Sequence, residues 1–320
     1  MRGIGWKGGV FAFGVVAALA LAIFAAPEWI APWTPDPTEQ AILYEIRLPR
    51  AMTAFAVGAL LALSGCALQT LLGNPLAEPY VLGAAGSGAL GAVAAILWLS
   101  PEAGVRALGA CIGALLGTAL VGAFARFGVL RLLLAGVVLA SFWAALLALL
   151  LALLAPSQLA GAMAWLMGDL ASQPIAWPWL WLAAVVLLAA LLAKEEALDR
   201  LLLGERHAAA LGEHVALLRR WLLWLASIAT GIAVAAAGTI GFVGLVVPHA
   251  VRLVIGARHR QLLPIAALAG GAFLACADAL ARTLAAPHEL PVGVITALVG
   301  VPLFLRLLLH RERACWPLRD

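Results

Sequence analysis

Apolar residues run along this chain in long unbroken stretches, parted by short polar, proline- or glycine-bearing breaks. Continuous Leu- and Ala-rich runs satisfy their backbone in lipid as helices, whereas a membrane barrel alternates apolar with polar residues along each strand. With roughly 17–25 residues needed per span, the pattern predicts ten helices, over 9–26, 51–72, 80–99, 105–124, 132–155, 176–193, 221–237, 239–255, 263–286 and 292–309. The seventh and eighth are parted only around Gly238. The expected fold is an all-α integral membrane protein with one transmembrane domain over residues 1–320 and one large polar connection, 194–220.

Composition agrees with this pattern. Hydrophobic residues make up 65% of the 320 positions and charged residues 11%, against roughly 25% charged in an average soluble domain. The first run, preceded by Arg2 and Lys7, outlasts the usual core of a secretory signal and lacks a small-x-small cleavage site, so it reads as a retained helix. Basic residues concentrate on the cytoplasmic side of membrane proteins. With the N-terminus inside, the inner segments hold 16 of the 20 Lys and Arg residues, leaving Arg47, Arg50, Arg106 and Arg282 outside. Both termini are expected to be cytoplasmic, and the net charge of +4 is a topology signal rather than a nucleic-acid footprint.

Several chemistries are excluded. The only lysines, Lys7 and Lys194, are followed by Gly8 and Glu195, so no GxxxxGK[ST] phosphate loop exists. His288-Glu289 continues as Leu290-Pro291-Val292, which rules out HExxH at that site. Cys66, Cys111, Cys276 and Cys315 form no CxxC pair and read as small buried hydrophobes. The six histidines make no metal cluster, and His249 reads as a helix-packing residue. Asp278 is the clearest intramembrane acid; Arg282, four residues on, shares its helical face and suggests a structural pair rather than a proton relay. Energy for transport is therefore expected from a separate subunit. The rival, an ion- or proton-coupled secondary transporter, predicts midplane acids or broken helices in inverted pairs.

Four constellations remain. Residues 201–220, LLLGERHAAALGEHVALLRR, suit two short helices broken at Gly204 and Gly212. Their apolar Leu201, Leu202, Leu203, Leu211, Leu217 and Leu218 fit either a soluble partner or an interfacial lipid surface. On the outer face, Arg47, Arg50 and Arg282 read as exposed cations that would either meet an acidic partner or snorkel to lipid phosphates. Gly109, Gly113 and Gly117 lay a smooth packing stripe on the fourth span. The run 132–155 carries little polarity beyond Ser141 and Trp143. Finally, NPLAEPYVLGAAGSG (74–88) breaks the chain between spans: Pro75 and Pro79 stop helix continuation and Asn74 closes the turn. Backbone freed at membrane depth must be received by protein or a watery cavity, so this turn is expected against the inner mouth of a pathway, buried by its neighbours.

The ordered set RLPR (47–50), GALLALSGCALQTLLGNPLAEPYVLG (58–83), LLLAG (132–136), LGERHAAALG (203–212), GTIGFVGLVVPHAVRL (238–253), ADALAR (277–282) and ELPVGVITALVGVP (289–302) resembles the FecCD/BtuC family. These are permeases of ABC importers for iron chelates, haem and cobalamin. The resemblance spans about residues 40–309, while the first 40 residues carry little of the pattern. It implies a type II importer permease in the bacterial inner membrane, a homodimer with its path at the subunit interface, two cytoplasmic ATP-binding subunits and a periplasmic substrate-binding protein. This chain would bind no cofactor, ATP and magnesium residing on the partner. By the resemblance, Leu203, Gly204, Glu205, Arg206, Leu211 and Gly212 couple to the ATPase, and Arg47, Arg50 and Arg282 dock the binding protein. Ser141, Trp143, Met163, Trp165, Met167 and Asp169 fall where the family lines and gates its path. Among substrates, an iron chelate is favoured only because most of the family carries one.

Overall fold

Helices form where the apolar runs predict them. A computed structural model of the chain describes residues 4–24, 36–79, 83–124 and 127–309. In chain order it contains α1 (Ile4–Phe24), α2 (Pro37–Ala41), a π-helical stretch (Ile42–Arg47), α3 (Leu48–Leu72), α4 (Ala84–Trp98), α5 (Ala103–Gly122), α6 (Val129–Leu153) and α7 (Pro156–Leu166). It continues with α8 (Trp177–Leu192), α9 (Glu195–Leu202), α10 (Glu205–Ala210), α11 (Val215–Ala237), α12 (Val243–Ile255), α13 (His259–Thr283) and α14 (Val292–Leu309). Each of the ten predicted segments carries a helix. By length and composition, five described stretches suffice to cross a membrane: Pro37–Leu72, Ala103–Gly122, Leu130–Leu153, Val215–Ala237 and His259–Thr283. A sixth is reached if α8 is joined to α9, from which it is bent by 62°. Arg2, Cys315 and Tyr80 lie outside the described residues, as do His310 and the inner basic residues Arg126, Arg311, Arg313 and Arg319.

The bundle is organised around α3, which is buried along nearly its whole length and packs on α13, α11, α12 and α8. Close approach is possible because glycines face backbone. A Cβ at Gly58 would strike the carbonyl of Gly270 on α13, and one at Gly65 would strike that of Gly244 on α12. Phe55 stacks on Trp181 of α8 at 5.2 Å between ring centroids, and Trp181 Nε1 donates to the Met52 carbonyl at 3.0 Å. Ser64 Oγ donates to the Ala226 carbonyl of α11 at 2.8 Å and lies 2.8 Å from Thr230 Oγ1. The predicted stripe does pack: Gly109 faces Gly91, and Gly113 and Gly117 face Ser87, all on α4. Cys66 is buried, Cys111 and Cys276 are half-buried, and all three are free thiols.

Two helices start later than the apolar pattern predicts. α4 has 15 residues and α12 has 13, about 22 and 20 Å at 1.5 Å per residue, short of the ~30 Å hydrocarbon thickness. α3 ends at Gly73, which is left-handed at φ 56°. Asn74 Oδ1 then accepts from the Leu76 amide at 2.9 Å, closing the turn as expected. The chain does not stay at the end of α3. Pro79 packs against Gly244, which lies beside Leu61 and Gly65 in the middle of α3. Both α4 and α12 therefore begin inside the bundle, from left-handed Gly83 (φ 77°) and Phe242 (φ 70°). Pro75, Ala77 and Pro79 are buried as expected, but Leu76 is exposed at the tip, contrary to the expectation of a wholly covered turn.

Overpacking a tight interface costs roughly 1–3 kcal/mol. Gly58→Ala is expected to destabilise the detergent-solubilised protein by about that much, read by thermal unfolding, whereas Gly161→Ala, which meets open space on α7, is expected to leave it unchanged or slightly raised.

Candidate functional site

Three groups of polar residues stand out against the apolar bundle. At the α3 N-terminal end, Arg50 Nε and Nη2 donate to Asp278 Oδ1 at 3.1 and 3.0 Å, and Nη1 donates to Glu289 at 2.9 and 3.2 Å. Arg282 Nε donates to the other Asp278 oxygen at 3.1 Å, the structural i,i+4 pair anticipated from spacing. Arg282 Nη2 also donates to the Ala22 carbonyl of α1. Asp278 thus carries two guanidinium groups, which offsets the cost of burying its charge.

The expectation of three exposed outer cations is corrected. Arg47, Arg50 and Arg282 are only 9%, 9% and 8% accessible, because the π-helical turn, α1 and α13 close over them. They line a cleft of about 210 Å³ with Ile42, Ile46 and Glu289. What reaches the surface there is their edge, Ile46 and the Glu289 carboxylate.

At the opposite end of α3 lies the 194–220 connection. Its breaks at Gly204 (φ 102°) and Gly212 (φ 87°) fall as expected, but the short helices they bound are α9, which starts earlier at Glu195, and α10; beyond Gly212 the chain enters α11 at Val215, ahead of the apolar run. Of its leucines, Leu201 and Leu218 are buried in the bundle, while Leu203, Leu211 and Leu217 are exposed. The former pair is therefore removed from the candidate docking surface: Leu201 of α9 and Leu218 in the first turn of α11 are spent on the core. Ion pairs fix the arrangement, Arg219–Glu205 at 2.6 Å and Arg200–Glu213 at 2.7 Å, and Arg206 faces outward. Beside α10, residues Glu213, His214, Leu217 and Arg220 edge an open recess of about 640 Å³. Asp199 on α9 accepts from both the backbone N (3.0 Å) and Nδ1 (2.6 Å) of His259. Burial opposes charge on Asp199, yet the hydrogen bonds and charge of His259 outweigh it and hold the carboxyl below its ordinary range.

The third group surrounds α7 and the inward turn. Ser141, Met163 and Met167 are exposed, Trp143 and Asp169 half-buried, and Trp165 is buried. Trp165 therefore does not line an open surface; Arg106 lies 5.2 Å over its ring and donates to Ser172 Oγ at 3.1 Å. Asp169 Oδ1 caps the following turn, accepting from Ala171 and Ser172. The segment is stitched to the bundle: the Asp169 amide donates to the Ala237 carbonyl at 2.9 Å, and the Gly293 amide to that of Met167 at 3.1 Å. Trp143 on α6 faces Gly83 and Gly86 at the start of α4, which joins the inward turn to the same region. His249 is buried with its ring edge-on to Phe304, the packing role anticipated.

One residue escaped the sequence reading. Glu78, inside the proline-flanked turn, accepts from the Phe242 amide at 2.8 Å and so serves the first turn of α12. Its signal was available only as an acid between two prolines. Arg252, counted with the inner cations, is buried, and the charge pattern alone gave no indication of that.

The profile of the FecCD transport family matches residues 10–310. The chain is 40% identical over 305 residues to the vitamin B12 import system permease protein BtuC of Salmonella typhi, covering 93% of each chain. To BtuC of Escherichia coli O157:H7 it is 39% identical over the same length and coverage. A solved structure of an inward-facing metal-chelate type ABC transporter superposes with a TM-score of 0.86 and 32% identity, covering 94% of this chain and 98% of that one.

Removing one partner of a buried ion pair costs roughly 3–5 kcal/mol, whereas an exposed one is worth about 1 or less. Arg50→Ala, which leaves Asp278 with Arg282 alone, is expected to lower stability by the larger amount. Glu289→Gln, at a carboxylate whose side chain is 54% accessible, should change it by the smaller. Chemical or thermal unfolding of the two variants in one detergent separates them.

Proposed function

The chain belongs to the FecCD transport family, and from that premise we propose that it is the membrane permease of an ABC importer carrying a bulky metal chelate, with a corrinoid as the first candidate. It is a multi-pass protein of the bacterial inner membrane. The observation that carries the reading is the pairing of two separate polar surfaces at opposite ends of one buried helix. One is the guanidinium cleft at the start of α3; the other is the α9–α10 platform beyond its end.

In this reading ten spans cross the membrane with both termini in the cytoplasm. The exposed Leu203 and Leu211, with Gly204, Glu205, Arg206 and Gly212 between and beside them, seat an ATP-binding subunit, which holds ATP and magnesium; this chain holds neither. The cleft of Arg47, Arg50 and Arg282 receives carboxylates of a periplasmic binding protein at its edge. Two copies of the chain face each other through exposed apolar residues of α6 such as Leu134, Val138 and Phe142, with the path between them. Ser141, Trp143, Met163, Met167 and Asp169 border that path, and Trp165 holds the α7 segment in place. The transport cycle needs only that nucleotide-bound and nucleotide-free partners prefer different arrangements of the dimer.

The corrinoid ranks ahead of an iron chelate or haem because the relatives at about 40% identity are named for vitamin B12. This replaces the weaker preference for iron chelates drawn from the family at large.

Reconstitution in liposomes with the cognate ATPase and binding protein tests the reading. ATP-dependent uptake of labelled cobalamin, in preference to ferric siderophore or haem, is expected. Leu211→Asp, a change at an exposed position, should reduce ATPase association at least tenfold, since about 1.4 kcal/mol is a factor of ten. Uptake that proceeds without the ATPase and follows an imposed proton or sodium gradient would overturn it in favour of a secondary transporter.

A further inference from the structure

The bend after α8 turns α9 away from the direction of its own span, so α9 is held by what it touches rather than by helix continuity. Its apolar Ala197, Leu198 and Leu201 are buried. A polar attachment runs from its Asp199 to the buried His259, at the first residue of α13. His259 is itself fully buried, and its other ring nitrogen, Nε2, lies 2.9 Å from Thr70 Oγ1 in the last turn of α3. Thr70 Oγ1 also lies 2.9 Å from the Cys66 carbonyl one turn back on α3. One side chain thus bridges three helices.

Hydrogen counting shows why this bridge holds. An ionised carboxylate only accepts, so Nδ1 of His259 carries a hydrogen toward Asp199. With a neutral ring, Nε2 accepts the Thr70 hydroxyl hydrogen. With a charged ring, Nε2 donates to Thr70 Oγ1 and the hydroxyl turns to the Cys66 carbonyl. The link between Thr70 and His259 is hydrogen-bonded in both cases, because the hydroxyl can donate to Nε2 or accept from it; the Cys66 carbonyl receives the hydroxyl hydrogen only when the ring is charged. The ion pairs that fix α10, Arg219–Glu205 and Arg200–Glu213, each keep one side chain well open to water, so they fall near the weak end of such interactions, about 1 kcal/mol. Arg219 lies on α11, so its pair with Glu205 ties α10 to a spanning helix, but through half-exposed groups, whereas His259 and Thr70 are buried.

We propose that Thr70, His259 and Asp199 are positioning residues that fasten the partner-facing α9 to the α3–α13 core, so that displacement of the 194–220 platform becomes displacement of the spans. This rests on the permease reading above. The relay acts on how much transport each ATP yields, not on whether the ATPase binds, because Thr70 and His259 are buried in the bundle, away from the exposed Leu203 and Leu211 that seat the partner.

The complete reconstituted importer is the test, with Thr70→Val, Thr70→Ser and Asp199→Ala compared with wild type. Three quantities are read: ATPase retained by the complex, cobalamin imported per ATP hydrolysed, and thermal unfolding. Thr70→Val, which keeps the shape and removes the hydroxyl, is expected to retain the ATPase while import per ATP falls roughly fivefold, within the range seen when coupling residues are altered. Asp199→Ala should fall similarly, and Thr70→Ser should restore the ratio to within about twofold of wild type. Unchanged import per ATP in Thr70→Val beside a coupled wild type overturns the relay alone. So does a fall shared equally by Thr70→Ser and tracking the loss of thermal stability, which marks a merely structural role. A wild-type complex that imports nothing with ATP overturns the permease reading and the relay with it.

Discussion

How closely α3 can approach its neighbours sets the rest of the structure. Inside a bilayer, apolar side chains gain nothing by leaving lipid for each other, so helices associate through dense packing and a few polar bonds. Gly58 against Gly270 and Gly65 against Gly244 bring α3 into backbone contact with α13 and α12. Ser64 and Thr230 add a hydroxyl pair toward α11. With those distances fixed, α8 packs over Phe55 through Trp181, and the remaining helices fill around this centre.

The two ends of α3 are each closed by charge, and in different ways. At one end Asp278 is wrapped by Arg50 and Arg282, a compact arrangement that leaves only Glu289 toward solvent. At the other end His259 links Thr70 to Asp199, whose side chain is partly open to water. A buried cluster at one end and a half-open relay at the other suit different tasks: the first preserves the shape of a cleft, while the second passes position from a surface helix into the bundle.

The shortened helices α4 and α12 give the bundle an irregular interior. Pro75 and Pro79 cannot supply backbone donors, and side chains add to the backbone bonds of the returning chain, Asn74 within the turn and Glu78 at Phe242. Phe242 adopts a left-handed backbone that a non-glycine residue rarely takes, and its side chain lies over Gly300 of α14. Such features concentrate where a chain must open a space between helices, and here Gly83 and Gly86 at the start of α4 face Trp143.

The amino-acid sequence by itself determined that this is an all-helical membrane protein, where its ten apolar segments lie, that Asp278 pairs with Arg282, and that the glycines of α5 pack against a neighbour. Those follow from periodicity and spacing, which act within one helix or one turn. Only the tertiary structure decided that Arg47, Arg50 and Arg282 are covered, that Leu201 and Leu218 face inward while Leu203 and Leu211 do not, and that Glu78 and Asp199 find partners 164 and 60 residues away. The physical reason is that burial and pairing of a polar group depend on which helices surround it. In a chain this uniformly apolar, almost any face can be lipid-facing or buried until the glycine contacts fix the packing.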